Sequence, residues 1–142
     1  MVNETKYLLD SDILIALLRD RTDKYGLRQK VLNAGVNNCY VSSISLSELN
    51  FGAYRMASER GMHEIAFIKS IFSILPYGQE NSLAPELYGK IKNFLTASGS
   101  PVNDMDILIG VSALSEGYTM VTHNVKHFSR IPELKVEDWL EQ

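Results

Sequence analysis

Two carboxylates interrupt an apolar run near the start of the chain. Residues 7–18 read Y-L-L-D-S-D-I-L-I-A-L-L, which places Asp10 and Asp12 among aliphatic side chains. Burying even a neutral polar group without a partner costs roughly 2–7 kcal/mol, and an isolated carboxylate costs more. Asp10 is therefore either a buried polar anchor or part of a site that needs its charge. Asp12 either caps the helix that follows or adds charge to the same site.

Acidic residues recur at two later points of the chain. Glu48 follows the serine-rich stretch after an apolar run, and Asp104 and Asp106 open another apolar segment. Each has a structural alternative. Glu48 could close a capping box with Ser45, Asp106 could do so with Asn103, and Asp104 could itself be an N-cap. The spacing of these residues alone does not choose between a cap and a site.

Convergence of these acids would indicate metal chemistry. Close pairs of carboxylates repel by about 4 kcal/mol at an effective dielectric of 20, and Mg²⁺ is typically held by one or two carboxylates, waters and a substrate phosphate. An acidic crevice thus favours a metal-dependent phosphodiesterase. Zinc chemistry is disfavoured, because the three histidines show no ligand spacing with Cys39. No nucleophile elbow and no glycine-rich phosphate loop is present.

The hydrophobic pattern predicts strands that alternate with helices. We expect strands at residues 6–10, 39–43, 71–77, 118–122 and 134–136, and helices at 12–18, 23–34, 45–57, 62–70, 81–97 and 104–116, with a loop at 124–128. Gly35 and Gly117 are placed to end two of the helices. This order is typical of a three-layer α/β domain with a mostly parallel sheet of four to five strands. Functional crevices in such sheets lie beyond the carboxyl ends of the strands, which groups Asp10, Ser43 and Thr122 with Asn124.

Composition limits the class of protein further. With 142 residues, of which 45% are hydrophobic, the chain can bury a core as a single domain spanning 1–142. A net charge of −3 argues against a protein that grips nucleic acid over its whole surface. The lone Cys39 favours a reducing compartment, for which the cytoplasm is the default. The N-terminus lacks a basic segment and the apolar run is cut by acids, so we expect neither a signal peptide nor a membrane span.

Four sequence blocks in order resemble the PIN-domain family, specifically the VapC-type toxins of bacterial type II toxin–antitoxin modules. The blocks are L-L-D-S-D-I-L-I, V-S-S-I-S-L-S-E-L-N-F-G-A, G-S-P-V-N-D-M-D-I-L-I-G-V-S-A-L and M-V-T-H-N-V-K-H-F-S-R-I-P-E-L-K-V-E-D-W. The resemblance covers nearly the whole chain and implies an α/β/α fold. It also implies an endoribonuclease that uses one or two Mg²⁺ or Mn²⁺ ions, cuts structured RNA such as a tRNA or rRNA loop, is silenced by a cognate antitoxin and forms a homodimer.

The resemblance also assigns site residues. Asp10, Glu48 and Asp106 match the family's catalytic and metal-binding acids, and Asp104 is an extra acid beside them. Asn124 stands where many PIN domains carry a fourth aspartate, so a neutral residue there leaves the number of metal ions open. The sequence D-S-D departs from the usual D-T-N, which keeps a hydroxyl at Ser11 and adds a charge at Asp12. Together with Thr122, these residues are expected to support the site.

Basic residues near the expected crevice are candidate RNA contacts, or else ordinary solvated surface: Lys126, His127, Arg130, Arg19, Arg21 and Lys24. Two other functions stay open at this point. One is a PIN nuclease that acts in RNA processing or on DNA rather than as a toxin. The other is a PIN fold that binds without catalysis, although a binding module has no reason to keep like charges together.

Overall fold

A computed structural model describes residues 4–141 of the chain. Residues 1–3 and residue 142 lie outside the described part of the chain. Residues 1–3 belong to the N-terminal stretch in which we expect no signal peptide. Strands and helices alternate as expected: β1 Tyr7–Leu9, α1 Ser11–Arg19, α2 Leu27–Ala34, a 3₁₀ turn Val36–Asn38, β2 Cys39–Ser42, α3 Ser43–Arg55, α4 Glu59–Ile71, β3 Ser73–Leu75, α5 Ala84–Ala97, α6 Asp104–Glu116, β4 Thr119–Val121, α7 Val125–Phe128 and β5 Val136–Glu137.

The five strands form one parallel sheet in the order β3-β2-β1-β4-β5. β1 is the central strand, and Leu8 and Leu9 on it are fully buried. Because every strand runs in the same direction, all carboxyl ends meet at one edge of the sheet, called here the carboxyl edge. The predicted three-layer α/β fold with a parallel sheet is confirmed.

Apolar residues pack in two clusters, with helices from different parts of the chain in each. Leu9 lies in the cluster formed largely by α1, α2, α3 and α4, whereas its neighbour Leu8 lies in the cluster formed by α5, α6 and α7. Successive strand residues point to opposite faces of a sheet, so β1 is covered on both sides. Its end, where Asp10 lies, is held from both faces. Within residues 4–141, no helix combines the length and the apolar character needed to cross a bilayer.

Several predicted helix limits are wrong, and backbone conformation explains the differences. α2 begins at Leu27 rather than residue 23, because Asp23 (φ 49°) and Gly26 (φ 64°) adopt left-handed conformations that a helix cannot contain. α5 begins at Ala84 rather than residue 81 for the same reason, since Asn81 has φ 66°. The predicted limits of α6 are confirmed, and the expected loop at 124–128 contains the short helix α7.

Candidate active site

Asp10 lies at the carboxyl end of β1 and is the N-cap of α1. It is only 8% exposed, yet both carboxylate oxygens accept hydrogen bonds. Oδ1 accepts from the Ser11 backbone N–H at 2.9 Å, and Oδ2 accepts from the Thr122 hydroxyl at 2.8 Å. These bonds offset part of the cost of burial and leave the carboxylate in one orientation.

Thr122 links the ends of the two central strands. Its hydroxyl donates to Asp10, and the same oxygen accepts from the backbone N–H of Asn124 at 2.9 Å. Thr122 is fully buried just after β4, which pairs with β1 in register through Leu9 and Val121. Of the residues expected to support the site, Thr122 therefore contacts Asp10 directly, and Asn124 is linked to Asp10 through Thr122.

The charge of Asp10 is costly in this position. Burial raises the pKa of Asp10 from its ordinary value of 3.8 to about 6, and the nearby charge of Asp12 and, more weakly, that of Asp106 add to the rise. The hydrogen bonds from Thr122 and Ser11 oppose the shift. Asp10 is thus ionised at neutral pH but ready to take up a proton or to pair with a cation.

Asp12 connects the start of α1 to the segment after β4. Its Oδ1 accepts from the Ile13 backbone N–H at 2.8 Å, and its Oδ2 accepts from the His123 backbone N–H at 3.0 Å. The interpretation of Asp12 as the helix cap is wrong, because Asp10 occupies that position. Burial is the main reason that the pKa of Asp12 is raised, and the two backbone bonds lower it again. The carboxylate adds negative charge beside Asp10.

Glu48 lies on α3, whose N-cap is Ser42 rather than Ser45; the Ser42 hydroxyl accepts from the Ile44 backbone N–H at 3.0 Å. The interpretation of Glu48 as part of a capping box is therefore wrong. Its side chain is exposed and accepts no hydrogen bond from residues 4–141. The pKa of Glu48 is nevertheless raised, first by desolvation and then by the charge of Asp106. Glu48 thus lies close enough to α6 for the two carboxylates to interact.

Asp104 and Asp106 face different partners at the start of α6. Asn103 is the N-cap, which rules out that position for Asp104. The Asp104 carboxylate, 61% exposed, forms an ion pair with Lys92 Nζ at 2.8 Å. Asp106, whose side chain is 21% exposed, is the α6 carboxylate that raises the pKa of both Asp10 and Glu48. The assignment of Asp104 as an additional metal ligand stays a prediction and has the weaker structural support.

His127 is a contact of Asp106 that was expected only as an RNA contact. Its Nδ1 lies 3.5 Å from Asp106 Oδ2 and 2.9 Å from the side-chain nitrogen of Asn124. Asn124 immediately precedes α7 and His127 lies on it, three residues later. This spacing places the two side chains on one face of the helix. Treating residues 124–128 as a loop concealed this proximity.

The other expected RNA contacts are divided between two places. Lys126 is exposed beside His127, and Arg130 donates to the Pro101 carbonyl at 3.2 Å. Arg19, Arg21 and Lys24 lie at the far end of α1, whose nine residues span about 13 Å. Arg19 is held by a two-bond ion pair with Glu64, at 2.8 and 3.0 Å. A groove of about 410 Å³ runs from this pair to Glu48, so Arg19 is connected to the site. Arg21 lines a second groove, which shares Arg19 and Glu64 with the first.

The arrangement fits a hard divalent cation without forming a complete cage. Carboxylate oxygens are the ligands that Mg²⁺ and Mn²⁺ prefer. Among residues 4–141, no group of three or more His, Cys, Asp or Glu side chains is gathered tightly enough to hold a metal unaided. Mg²⁺ usually keeps several waters and binds one or two carboxylates together with substrate phosphate. The carboxyl edge therefore suits a metal that is completed by water and by the substrate.

Comparison with known proteins identifies the class. The model of the PIN domain family matches residues 7–134, and the chain belongs to that family. It is 30% identical over 135 residues to the tRNA(fMet)-specific endonuclease VapC of Salmonella typhimurium, with 94% of this chain and 98% of the relative covered. It is 34% identical over 133 residues to ribonuclease VapC1 of Rickettsia felis, with 91% and 92% covered.

A solved structure gives the same grouping. The crystal structure of VapBC2 from Rickettsia felis, bound to a DNA fragment from its promoter, contains a chain that matches with a TM-score of 0.81 at 28% identity, covering 95% of this chain and 99% of that one. Within the PIN domain family, this chain therefore belongs with the VapC proteins. The resemblance expected from the four sequence blocks is confirmed.

Proposed function

We propose that this protein is a metal-dependent endoribonuclease toxin that acts in the cytoplasm and is neutralised by a cognate antitoxin. Support comes from the VapC relatives, which are named as ribonucleases and as a tRNA endonuclease. The observation that carries the proposal for this chain is electrostatic. The charge of Asp106 raises the pKa values of both Asp10 and Glu48, so acids from three separate segments share one small region of the carboxyl edge.

Asp10, Glu48 and Asp106 would hold Mg²⁺ or Mn²⁺, one or two ions, directly or through waters. The donor set fits, because all three groups are carboxylates and, within the described residues, none forms an ion pair with a lysine or arginine. When bound, the metal supplies an activated water and neutralises charge on the scissile phosphate. Cleavage in line with the attacking water would leave a 5′-phosphate and a 3′-hydroxyl.

The remaining residues of the site position these acids. Thr122 and Ser11 hold Asp10 in a single orientation, and Asp12 fixes the segment that carries His123 and Asn124. His127 approaches Asp106 Oδ2 at 3.5 Å, a long contact that restrains this carboxylate less than Asp10 is restrained. Ligands held by outer partners in this way typically lose 10–100-fold in metal affinity or activity when the partner is removed.

The partners of the protein follow from the same assignment. The substrate is structured RNA, with tRNA or an rRNA loop as the candidates, and the exposed Lys126, next to His127 in the chain, is a candidate contact for its backbone. The regulatory partner is an antitoxin, as VapB is in the VapBC complexes that this chain resembles. We also propose a homodimer as the assembled form of the toxin.

The deciding experiment is incubation of total cellular RNA with the purified, antitoxin-free protein, followed by sequencing of the new ends. We expect discrete cuts with Mg²⁺ or Mn²⁺, none with EDTA and none with Asp106→Asn. Asp104→Asn is the matched control, since it changes the same residue type two positions earlier on α6. Cuts that persist in EDTA or in Asp106→Asn would refute the site. Absence of any cutting by metal-replete protein would favour a non-catalytic PIN binding module or a DNA substrate.

A further inference from the structure

Two tyrosines and a lysine lie on the carboxyl edge beside the acidic site, on the side of β3. Tyr77 follows β3 by two residues, Tyr88 and Lys92 lie one turn apart on α5, and all three residues are half-buried. We call these residues the tyrosine–lysine strip. None of them is needed to hold the metal.

Hydrogen bonds connect the strip to both helices that carry site acids. The Tyr77 backbone N–H donates to the Ser43 hydroxyl at 3.1 Å, and Ser43 is the first residue of α3, the helix of Glu48. At the other end, Lys92 Nζ lies 2.8 Å from Asp104 on α6 and 3.4 Å from the Tyr88 hydroxyl. The strip therefore runs between the start of α3 and the start of α6.

The sheet order fixes how far the strip is from Asp10. β3 is two strands away from β1, and neighbouring strands are about 4.8 Å apart, so the carboxyl ends of β3 and β1 are roughly 10 Å apart along the edge. Both tyrosines pack with one side against the cluster of α5 and α6. Burial and the neighbouring Tyr88 hydroxyl raise the pKa of Tyr77, which agrees with their close approach. The tyrosines are thus two aromatic rings that lie close together near the site.

The Lys92–Asp104 pair leaves the lysine available to another anion. Its side chains are 44% and 61% exposed, and an exposed ion pair of this kind contributes little to stability. Lys92 can therefore leave Asp104 and bind a phosphate at small cost in stability. In the free protein, Lys92 neutralises the charge of Asp104, which would otherwise repel RNA. Lys126 is exposed and comes just before His127, whose ring lies 3.5 Å from Asp106. A polyanion that reaches the acids from the side of α5 would meet Lys92.

We propose that the tyrosine–lysine strip is a binding subsite for single-stranded RNA, in which Lys92 contacts a phosphate and the tyrosine rings stack on a base next to the cleaved bond. Aromatic rings beside a cation are the usual surface for unpaired bases. The inference rests on the proposed ribonuclease function. It identifies residues that would bind the RNA itself, which the negatively charged acids cannot do.

The test measures RNA binding separately from cleavage. A fluorescein-labelled RNA hairpin with an unpaired loop is titrated with the full-length protein in EDTA, and fluorescence anisotropy gives Kd. We expect Tyr88→Leu to raise Kd about five-fold or more, which is the lower range for loss of one base stack. Lys92→Gln should weaken binding and reduce the slope of log K against log salt by about 0.7, the value for one phosphate contact to a single strand.

Lys90→Gln is the matched control, because Lys90 lies on the same helix but lines a groove with Phe94 and Pro132 on another side of it. It should bind the hairpin like wild type. If Tyr88→Leu does not fold, Lys92→Gln and its salt dependence still decide, since Lys92 is partly exposed. Wild-type Kd in Lys92→Gln and in a folded Tyr88→Leu, or equal loss in Lys90→Gln, would overturn the subsite.

The two proposals fail in different ways. If cellular RNA is not cut but the strip variants lose hairpin binding, the nuclease assignment is wrong and the subsite stands. If RNA is cut at discrete positions and the strip variants bind and cleave like wild type, the nuclease assignment stands and the subsite is wrong.

Discussion

The two sides of the acidic edge differ in how firmly the chain holds them. On one side, Asp10 and Asp12 each accept two hydrogen bonds. The Thr122 hydroxyl links Asp10, and the His123 backbone N–H links Asp12, to the segment after β4. On the other side, Glu48 is exposed, and the one polar side-chain contact of Asp106 within residues 4–141 is the long approach of His127. We refer to these as the fixed side and the open side.

The difference has a physical reason. Three ionised carboxylates in contact would repel one another strongly, so a metal-free chain cannot bring all of them together at close range. The chain can bury one carboxylate, provided that hydrogen bonds offset the cost of removing its charge from water. Asp10 is that residue, whereas Glu48 on the open side stays exposed to solvent. This agrees with the lack of a complete metal cage among residues 4–141.

The largest expected effect is on the free energy of unfolding, and it comes from the buried charge of Asp10. The folded-state pKa of Asp10, about 6, lies above its ordinary value of 3.8, so the folded chain holds more protons than the unfolded chain between these pH values. Its contribution to the free energy of unfolding therefore rises as pH falls through about 6 and levels off below about 4. The shift corresponds to about 3 kcal/mol.

Asp10→Asn should remove this cost. Its amide can still accept from Ser11 and donate to the Thr122 oxygen, so in EDTA we expect stabilisation by up to about 3 kcal/mol near neutral pH and little change at about pH 4. Urea denaturation at both pH values measures it. A variant that is destabilised equally at both pH values would show that Asp10 is a structural anchor whose charge costs nothing.

The second effect is the stabilisation produced by metal. Mg²⁺ or Mn²⁺ at 100 times its Kd should stabilise wild type by about 2.7 kcal/mol, a rise in Tm of several degrees. Asp10→Asn on the fixed side and Asp106→Asn on the open side should both reduce the shift, whereas Asp104→Asn should not. An undiminished shift in both Asp10→Asn and Asp106→Asn would contradict the proposed ligands.

These expectations show which parts of the site the sequence could reveal. Asp10 stood out because an apolar strand predicts burial, and the parallel sheet followed from the alternation of strands and helices. Capping was harder to assign. Several serines precede Glu48, and hydrophobic spacing did not distinguish Ser42 from Ser45 as the residue that starts α3.

Contacts between distant segments could not be predicted from local patterns. The Asp106 contact with His127 joins residues 21 positions apart, and it depends on how α6 and α7 pack. The ion pair of Arg19 with Glu64 similarly joins α1 to α4, so Arg19 could not be separated by sequence alone from freely exposed basic residues. Local backbone strain at Asp23 and Asn81 was also hidden.

The third effect tests the bond that makes the fixed side rigid. Thr122→Val removes the donor to Asp10 and the acceptor for the Asn124 backbone N–H. We expect a 10–100-fold loss of Mn²⁺ affinity, roughly the effect of losing an outer partner of a metal ligand. Thr122→Ser keeps the hydroxyl and should stay much nearer to wild type. Equal Mn²⁺ titrations for Thr122→Val and wild type would mean that Asp10 is oriented without this bond.

The smallest expected effect on stability belongs to the open side. Glu48 is exposed and accepts no hydrogen bond from the described residues, so Glu48→Gln should change the free energy of unfolding by no more than about 0.5 kcal/mol in EDTA. RNA cleavage should nevertheless fall by about ten-fold or more, because a metal-binding acid is lost. Urea denaturation and end mapping on the same preparation measure both. A large loss of stability would place Glu48 on the fixed side after all, whereas full cleavage activity would remove it from the site and leave Asp10 and Asp106 to hold the metal with water and substrate.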